Sequence, residues 1–198
     1  MYDEIKSAYE IAMEKAEKIG EATDEERLMW KHVPEGEKLA ALFIKQECNL
    51  VAELGQYQEA VRKYVAEGAV EVFVRNINLP QDDLAKKNNT RAMEGLKIAK
   101  SDKVSTENIF SKVRHVLNHY LEQGEQQRKQ AYESVKAEFE AKIQQAMQQQ
   151  KLGSVAGTNI DVERQPQFQE EWRKMRTQLD SQYLTLLNEY KQELLTIK

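Results

Sequence analysis

Cysteine is almost missing from this sequence: Cys48 is the single one in 198 residues. An internal disulfide and a cysteine-based zinc site are therefore excluded. Cys48 lies in a helical-looking stretch between Ile44 and Val51, and reads as a small, partly buried residue rather than a reactive nucleophile. Proline and glycine are also scarce, at 3 and 8, which permits long uninterrupted elements. No apolar run approaches the roughly 18 residues needed to cross a bilayer. The opening Met1–Ala8 carries Asp3 and Glu4 and has no apolar core, unlike a signal peptide. Cytoplasmic residence without membrane contact is the expectation.

Positive charge is not in excess. The formal net charge is -4 and the pI about 5.6, whereas a nucleic-acid-binding domain shows a basic face. The densest basic stretch, Lys86, Lys87, Arg91, Lys97, Lys100 and Lys103, is offset by Asp82, Asp83, Glu94 and Asp102, and reads as a solvated helix face. Without a basic groove, Trp30, Trp172 and the eight tyrosines do not form a base-stacking platform. There is no G-x-S-x-G and no Cys–His pair with local support. The stretch Lys151–Thr158 fails as a phosphate loop, because three residues separate Gly153 from Gly157 and no lysine follows. These absences weigh against an enzyme and imply no cofactor.

What the chain does contain is helical periodicity. Hydrophobic residues make up 40% and charged residues 31%, with a mean hydropathy of -0.75. So polar a chain predicts thin helices sharing narrow seams. Tyr2, Ile5, Tyr9, Ala12, Ala16 and Ile19 form a short heptad seam that Gly20 ends. Thr23 to Glu26 reads as a capping box. The helix it opens is expected to stop at a turn, Val33-Pro34-Glu35-Gly36. A longer helix is expected from Glu37 to Val65, carrying the most apolar face of the chain. In Gly68–Leu79, Val70, Val72 and Val74 alternate like a strand, but no partner strand lies nearby to satisfy its backbone, so helix is favoured. Pro80, Asp82 and Asp83 mark the next helix start.

After a break at Ser101–Ser105, Ser105 or Thr106 should cap a helix reaching Lys151, roughly 65–70 Å long. A loop follows at Leu152–Asp161, then a returning helix from about Gln165 to Ile197. In that last helix Phe168, Trp172 and Met175 recur as Leu179, Tyr183 and Leu186, then as Tyr190, Leu194 and Ile197. The eleven-residue period implies a straight or slightly right-handed pairing. Ile109, Val113, Val116, Tyr120 and Gly124 form a matching run that weakens through Ala131, Val135, Phe139, Ile143 and Ala146. A short loop between two long striped helices implies antiparallel neighbours. The stretch Ala131–Met147 is expected against Phe168–Tyr183, with the rest of both helices on an N-terminal module. The expected fold is all-α: an N-terminal helical bundle over residues 1–104, and a long, coiled-coil-like antiparallel hairpin over 105–198 with its tip near 152–161.

Two constellations stand out as candidate sites. His115, His119 and Glu122 share one helix face and could hold a transition metal. The spacing is shared by any pair four apart, and no Glu precedes either histidine by three residues as in ferritin-like helices; Lys112 and Val116 stand there. A polar flank of the seam is the simpler account. At the tip, Leu152, Val155, Ile160 and Val162 are apolar where a hairpin is exposed, which suits a contact surface; mutual burial would explain them equally. The clustered glutamines, Gln123 to Gln130 and Gln144 to Gln150, read as a solvated helix face.

The opening Lys6-Ser7-Ala8-Tyr9-Glu10-Ile11-Ala12-Met13-Glu14-Lys15-Ala16-Glu17-Lys18-Ile19-Gly20, with Trp30-Lys31, Pro34-Glu35-Gly36-Glu37-Lys38-Leu39-Ala40 and a middle Leu79-Pro80, resembles an uncharacterised family of small bacterial helical proteins. The resemblance implies a bacterial origin and a domain of unknown function, and supplies no active site. The residues point to a structural or interaction protein, adaptor-, stalk- or chaperone-like, acting through the hairpin on a protein partner or by self-association as an oligomer. The alternative is a small helical metal-binding protein or enzyme using the His115/His119 face.

Overall fold

The computed structural model describes residues 22–149 and 161–197. The heptad Tyr2–Ile19 and most of the tip loop lie outside these residues. Among the described residues the fold is all-α, with six α-helices, one 3-10 turn and no strand. It divides into two compact units between Val72 and Phe73.

The first unit holds α1 (Asp24–Ile44), α2 (Leu50–Gly55) and most of α3 (Glu59–Asn76). The capping box forms as its sequence predicts: Glu26 N–H donates to Thr23 Oγ1 at 3.2 Å, and Thr23 N–H to Glu26 Oε2 at 2.8 Å. The expected turn at Val33–Gly36 does not form, and α1 runs straight through Pro34. An interior proline forfeits one helical hydrogen bond and costs about 3 kcal/mol. Packing outweighs that loss. A Cβ on Gly36 would stand 1.9 Å from the Val65 carbonyl oxygen, and one on Gly68 2.0 Å from that of Val33. Helices α1 and α3 thus cross backbone against backbone at two glycines, and Gly36 serves as a contact point, not a turn.

The continuous helix expected from Glu37 to Val65 is three elements. Helix α1 ends in a Schellman motif, with Glu47 N–H on the Leu42 carbonyl at 2.9 Å and Gln46 N–H on that of Phe43 at 3.0 Å. Gln46 takes the left-handed position at φ 65°. Asn49 caps α2 by accepting from the N–H groups of Val51 and Ala52. Cys48 falls in this connection, not in a helix, half-buried, its thiol directed at the Leu39 carbonyl at 3.6 Å. The ambiguous stretch after Gly68 is helical as far as Asn76, with Ala69, Val70, Phe73 and Val74 buried.

The second unit begins inside α3 and continues through α4 (Asp83–Ala99), α5 (Lys103–Gln149), the turn Val162–Arg164 and α6 (Pro166–Thr196). Residues 77–80 have no regular structure, so their backbone needs other partners. Buried Asn89 supplies them, accepting from Asn78 N–H at 2.8 Å and donating to the Asn78 carbonyl at 2.7 Å. Asp82 caps α4, accepting from Ala85 N–H at 2.7 Å. Asp102, not Ser105 or Thr106, caps α5: its carboxylate accepts from Ser105 N–H at 3.0 Å and from the Ser105 hydroxyl at 2.6 Å. Those bonds hold the Asp102 carboxyl below its usual pKa.

Helices α5 and α6 run past each other in opposite senses. Lys112 meets Glu193 at 3.0 Å, Tyr120 meets Tyr183, Tyr132 meets Phe168 and Trp172, and Lys136 meets Glu163 at 2.6 Å. Contact therefore spans the pair, and is not confined to Ala131–Met147. The buried stripe on α6 differs from the expected one at two places: Asp180 is buried in it, and Leu187 is 1% exposed where Leu186 is 43%. A helix turns 3.6 residues per turn, so steps of four from Leu179 through Tyr183 carry the seam to Leu187.

Candidate functional site

Most of the basic stretch on and after α4 is engaged by internal partners. Lys86 pairs with Asp83 at 3.0 Å, Arg91 with Glu94 at 2.9 Å and Lys97 with Glu107 at 3.3 Å. Buried Lys100 donates to the carbonyls of Leu195 and Ile197 at the end of α6. Lys103 donates to those of Lys97 and Ile98 at the end of α4. Cations at helix C-termini satisfy orphan carbonyls and complement the dipole.

His115, His119 and Glu122 are all exposed on α5. The two imidazole centroids lie 6.4 Å apart, and His119 Nδ1 is 3.0 Å from the Tyr183 hydroxyl. Among the described residues no three His, Cys, Asp or Glu side chains gather as a metal ion requires. His119 ties this face across the seam to α6. Of the four tip residues, Leu152, Val155 and Ile160 lie outside the described residues. Val162 is 7% exposed, packed with Val135 and Phe168. It closes the seam.

A polar cluster that sequence reading missed lies midway along the pair. Asp180 is buried. Its Oδ1 stands 3.7 Å from Arg128 Nη1, and its Oδ2 accepts from Gln81 Nε2 at 3.3 Å. Arg128 lies over the Tyr120 ring at 4.0 Å and donates through Nη2 to the Tyr120 carbonyl at 3.2 Å. Gly124 makes room: a Cβ there would stand 3.0 Å from Arg128 Nη1 and 3.1 Å from the Tyr183 hydroxyl. Burial, opposed by the nearby Arg128 charge, raises the pKa of Tyr120, so its hydroxyl stays protonated. Arg128 Nη1 and Asp180 Oδ1 are buried without a hydrogen-bond partner among the described residues. Beside the cluster is a cavity of about 370 Å³ lined by Gln81, Lys86, Tyr120, Glu125, Arg128 and Arg176, among others. The one signal available in sequence was Asp180 itself, a carboxylate beside Leu179 on a striped face; Gln81, which bonds it, is 99 residues away.

A second cluster lies in the first unit. His32 Nδ1 is 2.7 Å from Glu35 Oε2, and His32 meets the Tyr57 ring edge-on. The histidine hydrogen bond holds the Glu35 carboxyl below its usual pKa.

The fold and its clusters define an all-helical domain with no helix, among the described residues, long and apolar enough to cross a membrane. The chain belongs to a family of unknown function, DUF6657, whose model matches residues 51–196. The match includes Leu79-Pro80 and begins after the opening residues that carry the sequence resemblance. No curated protein matches the chain. No solved structure matches it either.

Proposed function

We propose that this chain is a structural or interaction protein of the cytoplasm, an adaptor-, stalk- or chaperone-like element that presents its α5/α6 helices to a protein partner. One observation carries the reading. Outward of Arg128 on α5 and Arg176 on α6, the described residues of the pair bury one seam, in which Val135, Val162 and Phe168 are the buried hydrophobic residues. A two-helix segment with one seam has no interior for a substrate. Its polar outer surface and its tip are what it offers. The tip residues Leu152, Val155 and Ile160 supply the apolar contact in this proposal, and the heptad Tyr2–Ile19 supplies a further helix–helix contact for self-association.

The test is a crosslinked pull-down from the native organism, followed by binding of the purified partner. Wild type is compared with Val155→Ser/Ile160→Ser. A partner captured by wild type, rebinding when purified and lost with the double variant, is the expected result. No partner beyond the chain itself, with or without the variant, would overturn the tip reading.

A further inference from the structure

We propose that the cavity beside the Arg128–Asp180 pair binds a small molecule carrying a phosphate group. The site is independent of the tip contact.

Its volume of about 370 Å³ far exceeds the space of a single water and falls in the range of small-ligand pockets. Three cations reach it from three different helices: Lys86 on α4, Arg128 on α5 and Arg176 on α6. The only acidic side chain in the lining is Glu125. Chance surface charge in this chain is close to balanced, with 29 basic and 33 acidic residues, so a three-to-one excess around one concavity is a local departure.

The chemistry of Arg128 sharpens the class of ligand. Its guanidinium carbon lies 4.0 Å from the centre of the Tyr120 ring, and Nη2 is committed to the Tyr120 carbonyl. Nη1 is buried, lacks a hydrogen-bond partner among the described residues and is only 3.7 Å from Asp180 Oδ1. A buried charged donor left unmade is unfavourable, and a planar guanidinium fork fits phosphate oxygens. Asp180, its ion-pair partner, is not part of the cavity lining. A phosphate group offers the cations of the lining several oxygen acceptors at once. Lys86 is tied to Asp83, but both groups are largely solvated, and such a pair exchanges partners readily. Arg176 is exposed and closes the cationic ring.

The experiment is calorimetric titration of the full chain with inorganic phosphate, glycerol 3-phosphate, glycerol and succinate, at low and physiological salt. Exposed Arg176→Gln removes one cation of the site. Lys174→Gln removes the same charge two residues away on α6, outside the lining. The expected result is saturable binding of both phosphate compounds, weakened about tenfold by Arg176→Gln and little changed by Lys174→Gln, with glycerol inert; tenfold is about 1.4 kcal/mol. No saturable binding by about 20 mM would overturn the proposal. Equal weakening by both variants would also overturn it, since that is general charge attraction. So would tighter binding of succinate than of either phosphate compound. Circular dichroism melting of each variant separates lost binding from lost folding.

Discussion

The two units join their helices by different means. In residues 22–72 the crossing of α1 and α3 is made by backbone, with Gly36 against Val65 and Gly68 against Val33. In residues 73–197 the long pair α5/α6 is held by side chains, in edge-to-face aromatic contacts: Tyr120 with Tyr183, Tyr132 with Trp172, and Phe139 with Phe168. Backbone contact tolerates no added atom, because no rotamer change can relieve it. Side-chain contact tolerates loss locally, because neighbouring rings can shift. Polarity follows the same division. The first unit buries few charges, while the pair carries the Arg128–Asp180 cluster within its seam.

The sharpest way to break this contrast is Gly36→Ala. The new Cβ would meet a carbonyl oxygen at 1.9 Å, so the helices must separate. The expected loss exceeds the roughly 1–3 kcal/mol of ordinary overpacking. Urea denaturation followed by circular dichroism measures it. A loss under about 1 kcal/mol would mean that the crossing is not close-packed, and that glycine there is incidental. Gly55 is a control inside the same unit, because its Cβ would meet nothing within 4 Å.

Much of this was legible in the sequence. The capping box, the long helices and the stripe from Phe168 to Tyr183 all follow from local periodicity and cap chemistry. What escaped it depends on distant partners. Pro34-Glu35-Gly36 reads as a turn because nothing nearby shows that Gly36 packs on Val65. The end of α1 was invisible because Gln46, not glycine, occupies the left-handed position, at a local cost of roughly 1 kcal/mol. The polar cluster was invisible for the same reason as the crossing: Gln81, Arg128 and Asp180 share no spacing, only a place. The histidine face shows the converse: its spacing is regular, yet among the described residues no three such side chains gather.

Within the pair, the outer seam is thinner than the inner one. Phe110, Val113, Val116, Leu117 and Tyr120 are all buried on the inner stretch of α5, whereas Val135 is the only buried residue between Arg128 and Gln148. Phe168→Ala tests whether the outer stretch opens on its own. Phe168 is 2% exposed and packs on Tyr132 and Phe139. The expected cost is about 3 kcal/mol, the low end for buried phenylalanine, because a two-helix seam can partly collapse. Hydrogen exchange should show protection lost over residues 130–148 and 162–176 and kept over 106–120. Uniform loss along α5 would make the pair one cooperative body, and the inner–outer distinction would fall.

The smallest expected effect is a pH dependence confined to that outer end. Lys136 and Glu163 pair at 2.6 Å. The hydrogen bond from Lys136, with a further one from Tyr132, lowers the Glu163 pKa, and Glu163 raises that of Lys136. A carboxyl with a depressed folded pKa adds stability above its unfolded value and loses it as pH falls through the folded one. The lysine's contribution is present below its unfolded pKa and fades as pH rises through the folded, raised value. Between these limits, across the neutral range, the pair is intact. Both groups are solvated, so salt screens them and the contribution is slight. Hydrogen exchange of residues 132–140 should therefore quicken, relative to residues 109–117, as pH drops below the usual glutamate range, after correction for intrinsic rates. In Glu163→Gln that acid-dependent difference should vanish while exchange in the inner stretch stays the same. An unchanged difference in the variant would assign the acid sensitivity to another carboxylate of the pair, and Asp180, inside the seam beside Arg128, is the next to replace.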